Sequence, residues 1–501
     1  MVPKSLYEQV AGENVRLAQE LADAEARIED LQARLGMSSK NSSKPPSSDG
    51  LAKPAPRSLR EESGRGPGRP KGQAGFTLES VADPTHRHRH EPHACVGCGG
   101  GLAGAPVVGV DSRQVFDLPP VALEVTQHDL VCRQCSCGMV TKAAAPAGVN
   151  APVQYGPRIA GAGVYLFHGQ FLSKGRTAAA LGDLFDAPVA PGTVASWTAK
   201  TAEVVTDEVI PVITDRIAGA EVAHFDETGL RTAGKLAWMH SASTDTDVLL
   251  SVHAKRGTEG MDAANVLPRF KGVAVHDAWA PYDTYAGLTH ALCNAHVLRE
   301  FIYVQDTAPK NVADLAEQAT DAILAIKKLL DAAAEARLVV DPDALAHHKR
   351  LLKSALVLGK TATSERATKL ERKYNALFTR MIKRWDDYLR YTHDPQVRFD
   401  NNAAEQTIRM PKLRVKVSGS LRSMDGAEDF AAIRSYIATA APGRRRESHP
   451  PPPTDPRMTV SRHGARAAQL SGPIGELPVR EQAGCPCPDP NKPRPCLLVA
   501  T

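Results

Sequence analysis

The stretch HFDETGL, residues 224–230, predicts a buried strand with an acidic residue, and the stretch VAVHDAW, residues 273–279, repeats the same arrangement. In each stretch a short apolar or β-branched run precedes an aspartate, Asp226 in the first and Asp277 in the second. Runs of this length and composition are typical of buried strands. We therefore expect both aspartates to project from strand ends.

A third acidic residue, Glu405, lies in the stretch FDNNAAEQTIRM, residues 399–410, where Asp-Asn-Asn precedes a helical pattern. Asp and Asn are common at helix starts, so we expect Glu405 early in a helix. Two strands and one helix can bring three carboxylates together. Their hard oxygens suit Mg²⁺ or Mn²⁺, and three such residues can hold two ions about 4 Å apart, an arrangement that cuts phosphodiester bonds.

Three motifs carry a resemblance to a known family: Asp226-Glu-Thr-Gly, the stretch HALCNAHVLRE that begins at His290, and the stretch FDNNAAE that begins at Phe399. Across roughly residues 5 to 441 the chain resembles the insertion-sequence-66 family of bacterial transposases. The resemblance implies a DDE transposase with an RNase-H-like core, in which the three acidic residues named above form the catalytic triad.

The resemblance also implies the reaction and the partners. Such an enzyme cuts the ends of an insertion sequence and joins them to target DNA by two-metal phosphodiester hydrolysis and strand transfer, without a covalent enzyme intermediate. Its partners would be double-stranded DNA at the element ends and at the target, further copies of the chain, and accessory proteins of the element. Two alternatives stay open: a catalytically impaired remnant that only binds DNA, and a two-metal nuclease without joining activity.

Two residues are candidates for supporting roles. The family carries the same Cys and His at Cys293 and His296, which implies a role for His296 near the phosphate. On the residues alone, two ligands do not complete a zinc site, and a buried thiol beside a hydrogen-bonded imidazole is the default. Arg409 follows Glu405 by four positions, where a cation can hold the carboxylate and attract the DNA backbone. Single acidic residues elsewhere, including Glu227, are expected to be solvated.

Length and composition fit several modules better than one core. The chain has 501 residues, of which 42% are hydrophobic, and its net charge of +5 excludes a uniformly basic surface. Any DNA-binding surface must therefore come from local clusters of cations. No stretch is long and apolar enough to span a bilayer, and the N-terminus lacks a signal-peptide core. We expect a cytoplasmic protein without membrane partners.

Residues 5–36 carry a heptad pattern that predicts a coiled coil with the seam Val10, Asn14, Leu17, Leu21, Ala24, Ile28, Leu31 and Leu35. A homo-oligomer follows from this pattern, and a helix docked on its own protein is the alternative. Residues 37–85 are predicted to be a basic, disordered linker, because Ser, Pro and Lys cannot form a core. A solvated linker and a minor-groove contact are both compatible with three of its cations, Arg65, Arg69 and Lys71.

Residues 86–150 are predicted to form a zinc-ribbon domain, because two CxxC motifs provide Cys95, Cys98, Cys132 and Cys135. Four thiolates make a closed, structural zinc site, and in a reducing compartment this spacing indicates zinc before disulfides. Cys137 could take the place of Cys135 as a ligand. The apolar stretches 115–118 and 121–131 between the motifs are expected to form strands.

Residues 151–216 are predicted to be a helical DNA-binding domain. Two helical segments flank a break at residues 186–191, as in a helix-turn-helix, and the second helix would offer Thr193, Ser196 and Lys200 to DNA. The alternative is an ordinary pair of helices that braces the core.

The catalytic core is assigned to residues 217–441. An α/β RNase-H-like order is indicated by one helix and four predicted strands, at 220–225, 236–243, 248–253 and 273–276. Helical periodicity predicts an all-α insertion at about residues 305–395, between Asp277 and Glu405. The predicted fold class is therefore multidomain, with an N-terminal coiled coil, a zinc ribbon, a helix-turn-helix and an α/β RNase-H-like catalytic core.

Residues 442–501 are expected to lie outside the working fold and to be disordered. Pro442-Gly443 interrupts a helical pattern that the family normally continues, and scattered Pro and Gly follow without an apolar period. A shifted reading frame after Ala441 would explain so abrupt a change, and a natural disordered tail is the alternative. The loss of the last helical turns would weaken the packing behind Glu405 and leave this copy less active than its relatives.

The zinc content tests the predicted ribbon. About one zinc ion per chain should co-purify, and Cys95→Ser or Cys132→Ser should release it and unfold residues 90–140, because the metal stabilises so small a unit. Metal analysis of freshly purified, unchelated protein gives the zinc content, and limited proteolysis reports the unfolding. Protein that carries no zinc under these conditions would contradict the assignment.

Overall fold

The computed structural model describes residues 4–37, 78–119 and 121–441. The tail 442–501 and three candidate DNA contacts lie outside these residues, namely Arg65, Arg69 and Lys71. The strands are β1 (Cys132–Gln134), β2 (Val140–Lys142), β3 (Val222–Thr232), β4 (Lys235–Ser243), β5 (Val248–His253), β6 (Val273–His276) and β7 (Thr289–Leu292). The α-helices are α1 (Lys4–Gly36), α2 (Pro157–Val164), α3 (Lys174–Phe185), α4 (Pro191–Val204), α5 (Ile210–Ala218), α6 (Thr258–Ala263), α7 (Asn294–Thr307), α8 (Lys310–Ala336), α9 (Pro342–Ala362), α10 (Lys369–Lys383), α11 (Trp385–Leu389), α12 (Asn402–Ser418) and α13 (Met424–Ala440).

A five-stranded sheet with the strand order β5-β4-β3-β6-β7 lies at the centre of this arrangement. β3, β4 and β5 form an antiparallel meander, and β6 and β7 run parallel to β3. The chain reaches β6 from β5 through α6, and it leaves β7 directly into α7. The result is a mixed α/β unit, built on a sheet whose parallel and antiparallel halves meet at β3.

Alternating side chains of β3 enter apolar layers on opposite faces of the sheet. Ala223 and Phe225 pack in a cluster with residues of α5 and α6, and Leu230 packs in a cluster with residues of α13. Because successive strand residues point to opposite faces, Asp226 belongs to the face of Leu230 and Glu227 to the face of Phe225. We call the face of Asp226 the front face and the face of Glu227 the back face.

The predicted strands of the sheet agree with the structure except at one end. β4, β5 and β6 begin and end within one residue of the prediction. β3 runs on to Thr232, because its hairpin with β4 continues to a turn in which Ala233 and Gly234 both have positive φ, 51° and 76°. The expectation that Asp226 projects from a strand end is therefore wrong, although the parallel pairing with β6 does stop at His224.

The predicted ribbon contains less strand than expected. β1 and β2 form a two-stranded antiparallel sheet, whereas residues 115–118 and 121–131 form no strand. Their valines are largely exposed, with Val115 at 91% and Val125 at 90%. An alternating pattern becomes a strand only when a neighbouring strand pairs with it, and this stretch pairs with none among the described residues.

The helices before the sheet follow local signals in the sequence. α1 ends at Gly36, and most of its described seam side chains are exposed. Asp186 ends α3 in the left-handed conformation, with a φ of 51°, and α4 begins five residues later at Pro191. Ala202 of α4 packs with Ile433 of α13, so the α3–α4 pair braces the C-terminal helix. This contact is what the bracing alternative expects.

Helices α8 to α11 occupy the interval between α7 and α12 and share one apolar cluster with α7. The cluster includes Phe301 of α7, Ile323 of α8, Leu356 of α9 and Phe378 of α10. It reaches the sheet through Val275 of β6. The long interval between Asp277 and Glu405 is thus filled by helices that pack on the end of the sheet where α7 begins.

Asn401 ties the start of α12 to the front face of β3. Its side chain is buried, its Nδ2 donates a hydrogen bond to the Phe225 carbonyl at 2.8 Å, and its Oδ1 accepts one from His224 Nδ1 at 2.8 Å. The Asn401 backbone N–H donates to Cys293 Sγ at 3.2 Å. Glu405 follows in the first turn of the helix, so its position beside β3 depends on these bonds.

Replacing Asn401 should therefore destabilise the core. Asn401→Ala leaves the Phe225 carbonyl and His224 Nδ1 buried without partners, and each such group costs about 1–3 kcal/mol. We expect the free energy of unfolding to fall by about 2–4 kcal/mol, measured by chemical denaturation. Asn402→Ala is the control, because Asn402 is exposed and bonds only its neighbour Asp400. Equal losses in both variants would contradict the anchoring role of Asn401.

Candidate active site

Asp226 and Asp277 lie side by side on the front face of the sheet. β3 and β6 pair in parallel with His224 opposite Val275, and each aspartate comes two residues after that pair. The Glu227 backbone N–H donates to Asp226 Oδ1 at 2.9 Å, and the Trp279 backbone N–H donates to Asp277 Oδ1 at 3.1 Å. Backbone N–H groups therefore hold both carboxylates, Asp226 within β3 where its pairing with β6 has stopped and Asp277 just beyond the end of β6.

Glu405 joins them from α12. Burial, and then the charges of Glu227, Asp277 and Glu405, raise the pKa of Asp226 to about 8. The mutual influence shows that the three predicted catalytic carboxylates share one electrostatic environment. Their repulsion is unfavourable in the protein alone, and a divalent cation would relieve it.

Two arginines and a histidine surround Glu405, whose side chain is only 14% exposed. His296 Nε2 lies 3.8 Å and Arg299 Nη1 lies 3.9 Å from Glu405 Oε1, while Arg409 Nη2 lies 3.4 Å from Oε2. Both predicted supporting residues thus adjoin Glu405. Arg299 was missed by the sequence reading, although it follows His296 by three positions and so shares its helix face.

Glu405 Oε1 is buried and accepts no hydrogen bond. Cys293 Sγ, a ring nitrogen of His296 and a carboxylate oxygen of Glu405 lie within 4.8 Å of one another, the one such group of three among the described residues. This set fits a thiolate-bound metal poorly, because burial raises the pKa of Cys293 to about 12 and its sulfur already accepts the Asn401 N–H. The free oxygen of Glu405 is better suited to a hard cation held with Asp226 and Asp277.

Glu227 is not the solvated surface charge that the sequence indicated. Its side chain is 1% exposed, and its Oε1 accepts hydrogen bonds from Arg256 Nε at 3.1 Å and Nη2 at 2.7 Å. Tyr282 Oη donates to Glu227 Oε2 at 2.9 Å. Burial and the charge of Asp277 raise the pKa of Glu227, and Arg256 opposes that rise. The prediction from the sequence was wrong because Arg256 and Tyr282, the two partners of Glu227, lie far from it along the chain.

Comparison with known families identifies the chain. The family described as "Transposase IS66 family" matches residues 152–429, more than half of the sequence, and these residues include all three converging carboxylates. The chain belongs to the IS66 family of transposases. A family of unknown function (DUF6444) matches residues 5–79, which contain α1. No curated protein matches the chain significantly.

The CxxC cysteines of this transposase lie in two turns ahead of the matched region. The Gly99 N–H donates to the Cys95 carbonyl and the Gly138 N–H to the Cys135 carbonyl, both at 2.8 Å. Hydrogen bonds lower the pKa of Cys95, chiefly from Cys98, and that of Cys135, chiefly from Cys137. The two pairs do not come together as one group of ligands within the described ranges. The zinc assignment, with Cys132 as a member, stays a prediction.

The candidate DNA contacts of α4 differ in accessibility. Ser196 and Lys200 are exposed, whereas Thr193 is half-buried. Val194 and Thr198 point into the structure.

None of the described helices combines the length and the apolar character that a membrane span requires.

The burial of Asp226 among other carboxylates predicts a pH-dependent stability. A carboxyl whose folded pKa of about 8 exceeds its unfolded value of 3.8 keeps a proton in the folded state only, so stability is lost as pH rises from about 4 to about 8. Without divalent metal at pH 8, Asp226→Asn should therefore raise the melting temperature by at least about 5 °C, and the gain should vanish near pH 4.

Thermal unfolding in the presence of EDTA measures this effect. The exposed Asp207 gives the matched control, since Asp207→Asn removes the same charge from a site on the surface. A gain that is equal at both pH values, or equal in both variants, would show that Asp226 is not held in a repulsive environment.

Proposed function

We propose that this chain is a DDE-type DNA transposase that cuts the ends of its insertion sequence and joins them to target DNA. Asp226, Asp277 and Glu405 would be its catalytic residues. The observation that supports this proposal is that Asp226 and Asp277 each lie two residues beyond the same residue pair of two neighbouring parallel strands, with Glu405 close enough for its charge to contribute to the raised pKa of Asp226. The strand order, with an antiparallel meander beside two parallel strands, supports an RNase-H-like core.

The three carboxylates would hold Mg²⁺ or Mn²⁺. Two observations support this: burial, and then the neighbouring negative charges, raise the pKa of Asp226 to about 8, and Glu405 Oε1 is buried without a hydrogen-bond donor. A pair of such ions, when bound, supplies Lewis-acid stabilisation of the charge on the attacking and leaving oxygens of a phosphodiester. No side-chain nucleophile is needed for this chemistry.

The residues around Glu405 would orient the carboxylate and attract the substrate. Arg299 and His296 approach Oε1 from α7, and Asn401 fixes the helix that carries Glu405. The Arg409 side chain is mostly exposed, so its charge is available to a DNA phosphate next to the triad. His296 would donate a hydrogen bond from a ring N–H to a phosphate oxygen, as its position beside Glu405 suggests.

The modules around the core would bind DNA and other copies of the chain. We propose a coiled coil at 5–36, a basic linker at 37–85, a zinc ribbon at 86–150, a helical DNA-binding unit at 151–216, a catalytic core at 217–441 and a tail at 442–501. The exposed seam of α1 supports self-association, and the exposed Ser196 and Lys200 support a DNA contact by α4. A structural Zn²⁺ and accessory proteins of the element belong to the same proposal.

A catalytically impaired copy is the second candidate. It rests on the sequence, in which Pro442-Gly443 interrupts a helical pattern. The packing of α13 supports the active form instead, because Phe430 and Ile433 are fully buried and Ser435 Oγ accepts the Leu250 N–H at 2.8 Å. Phe430 belongs to the apolar cluster that contains Leu230 of β3, so α13 packs on the front face of the sheet.

Neutral substitutions of the triad test the proposed function. Asp226→Asn, Asp277→Asn and Glu405→Gln each remove a charged metal ligand, and each should reduce Mg²⁺-dependent cleavage of labelled element-end DNA by more than about a hundredfold. Binding of the same DNA should change by less than about threefold, because phosphate contacts and not the triad dominate affinity.

Asp207→Asn is again the control and should cut like the unchanged protein. A triad variant that retains near-native cleavage is misassigned. Cleavage that is absent from the unchanged protein while end binding persists would favour the impaired copy, and cleavage without joining would favour a nuclease.

A further inference from the structure

Behind the triad, on the back face of the sheet, a buried ion pair joins β3 to the segment between β5 and α6. Glu227 follows Asp226 directly but points to the opposite face, where Arg256 donates two hydrogen bonds to its Oε1. The carboxylate is 1% exposed and the arginine side chain 36% exposed. A charge buried this deeply is retained only with a well-matched partner, so the geometry of Arg256 is fixed by Glu227.

Arg256 lies between two indole rings. Its Cζ is 3.9 Å from the ring centre of Trp279 and 4.9 Å from that of Trp238. A planar guanidinium stacks on aromatic faces through its delocalised charge, which a lysine ammonium does not reproduce in the same geometry. Glu227 therefore holds Arg256, and Arg256 holds Trp279 in place.

Trp279 belongs to the turn that presents Asp277. The Trp279 backbone N–H donates to Asp277 Oδ1 at 3.1 Å, and Ala278 between them has a φ of 67°, an uncommon value for a residue with a side chain. Such a conformation persists only when its surroundings hold it. On the far side of the turn, Tyr282 Oη donates to the same Glu227 at 2.9 Å.

We propose that Arg256 is a positioning residue for the metal site. With Glu227 it clamps Trp279 and so holds the turn 277–279 in the strained conformation that aims Asp277 at the metal. The inference rests on the proposed function, since it takes Asp277 to be a metal ligand. It adds residues from the back face of the sheet, none of which would touch the metal or the DNA.

Mn²⁺ binding to the purified full-length protein tests the clamp without reference to activity. Arg256→Lys keeps the charge opposite Glu227 but loses the planar stack, and Trp279→Leu removes the ring while leaving the ion pair. Both should weaken the Asp277-dependent Mn²⁺ affinity by about ten- to a hundredfold, the usual effect of a partner that orients a metal ligand. Excess Mn²⁺ should restore the cleavage of element-end DNA in both variants.

The control is Arg269→Lys, because Arg269 also pairs with a carboxylate, that of Asp215, at 2.8 Å, but at the surface. It should keep Mn²⁺ affinity within about twofold. Melting temperatures separate positioning from stability: lower melting temperatures in Arg256→Lys and Trp279→Leu with unchanged Mn²⁺ affinity would overturn the clamp.

Asp277→Asn distinguishes this failure from that of the proposed function. If it loses Mn²⁺ while Arg256→Lys binds like the unchanged protein, only the clamp is wrong. If Asp277→Asn and the unchanged protein bind Mn²⁺ equally, Asp277 is not a metal ligand, and the proposed function and the clamp fail together.

Discussion

The hydrogen bonds of Asn401 are the constraint on which the site depends. They join the first turn of α12 to His224 and Phe225 of β3 across 177 and 176 positions of the chain. The connection is specific because it is buried. If the Asn401 side chain left either partner without a hydrogen bond in the interior, the free energy of that bond would be lost, and no water would replace it.

The motifs that resemble the family serve this connection more than they serve chemistry. Asn294 donates its backbone N–H to the Phe399 carbonyl at 3.1 Å and its side chain to the Tyr388 carbonyl at 2.9 Å, so the start of α7 holds the chain that leads into α12. Cys293, its neighbour, accepts the Asn401 N–H. Two motifs that are about a hundred positions apart thus form one buried junction, and His296, Arg299 and Glu405 project from it.

The charges of the site are balanced unevenly. Glu227 is paired with Arg256 on the back face, and Glu405 lies beside Arg299, Arg409 and the imidazole of His296 on the front face. Asp226 forms no ion pair with any described residue, and burial together with the repulsion of neighbouring carboxylates raises its pKa. The fold is thereby less stable at the position where a cation would bind. Functional sites commonly lower the stability of the fold that supports them. The positive charges of Arg299 and Arg409 beside Glu405 would also attract DNA phosphates to this side of the sheet.

The sequence by itself determined the strands β4, β5 and β6 and the start of α12, because apolar periodicity and helix-start signals are local. It did not determine the length of β3 or the strands expected at 115–118 and 121–131, since strand formation requires a partner that local pattern does not supply. The burial of Glu227, its pairing with Arg256 and the approach of Arg299 to Glu405 were decided only by the tertiary structure. Each depends on which face of the sheet a side chain enters and on what distant segment is packed there, and neither is encoded in the neighbouring residues.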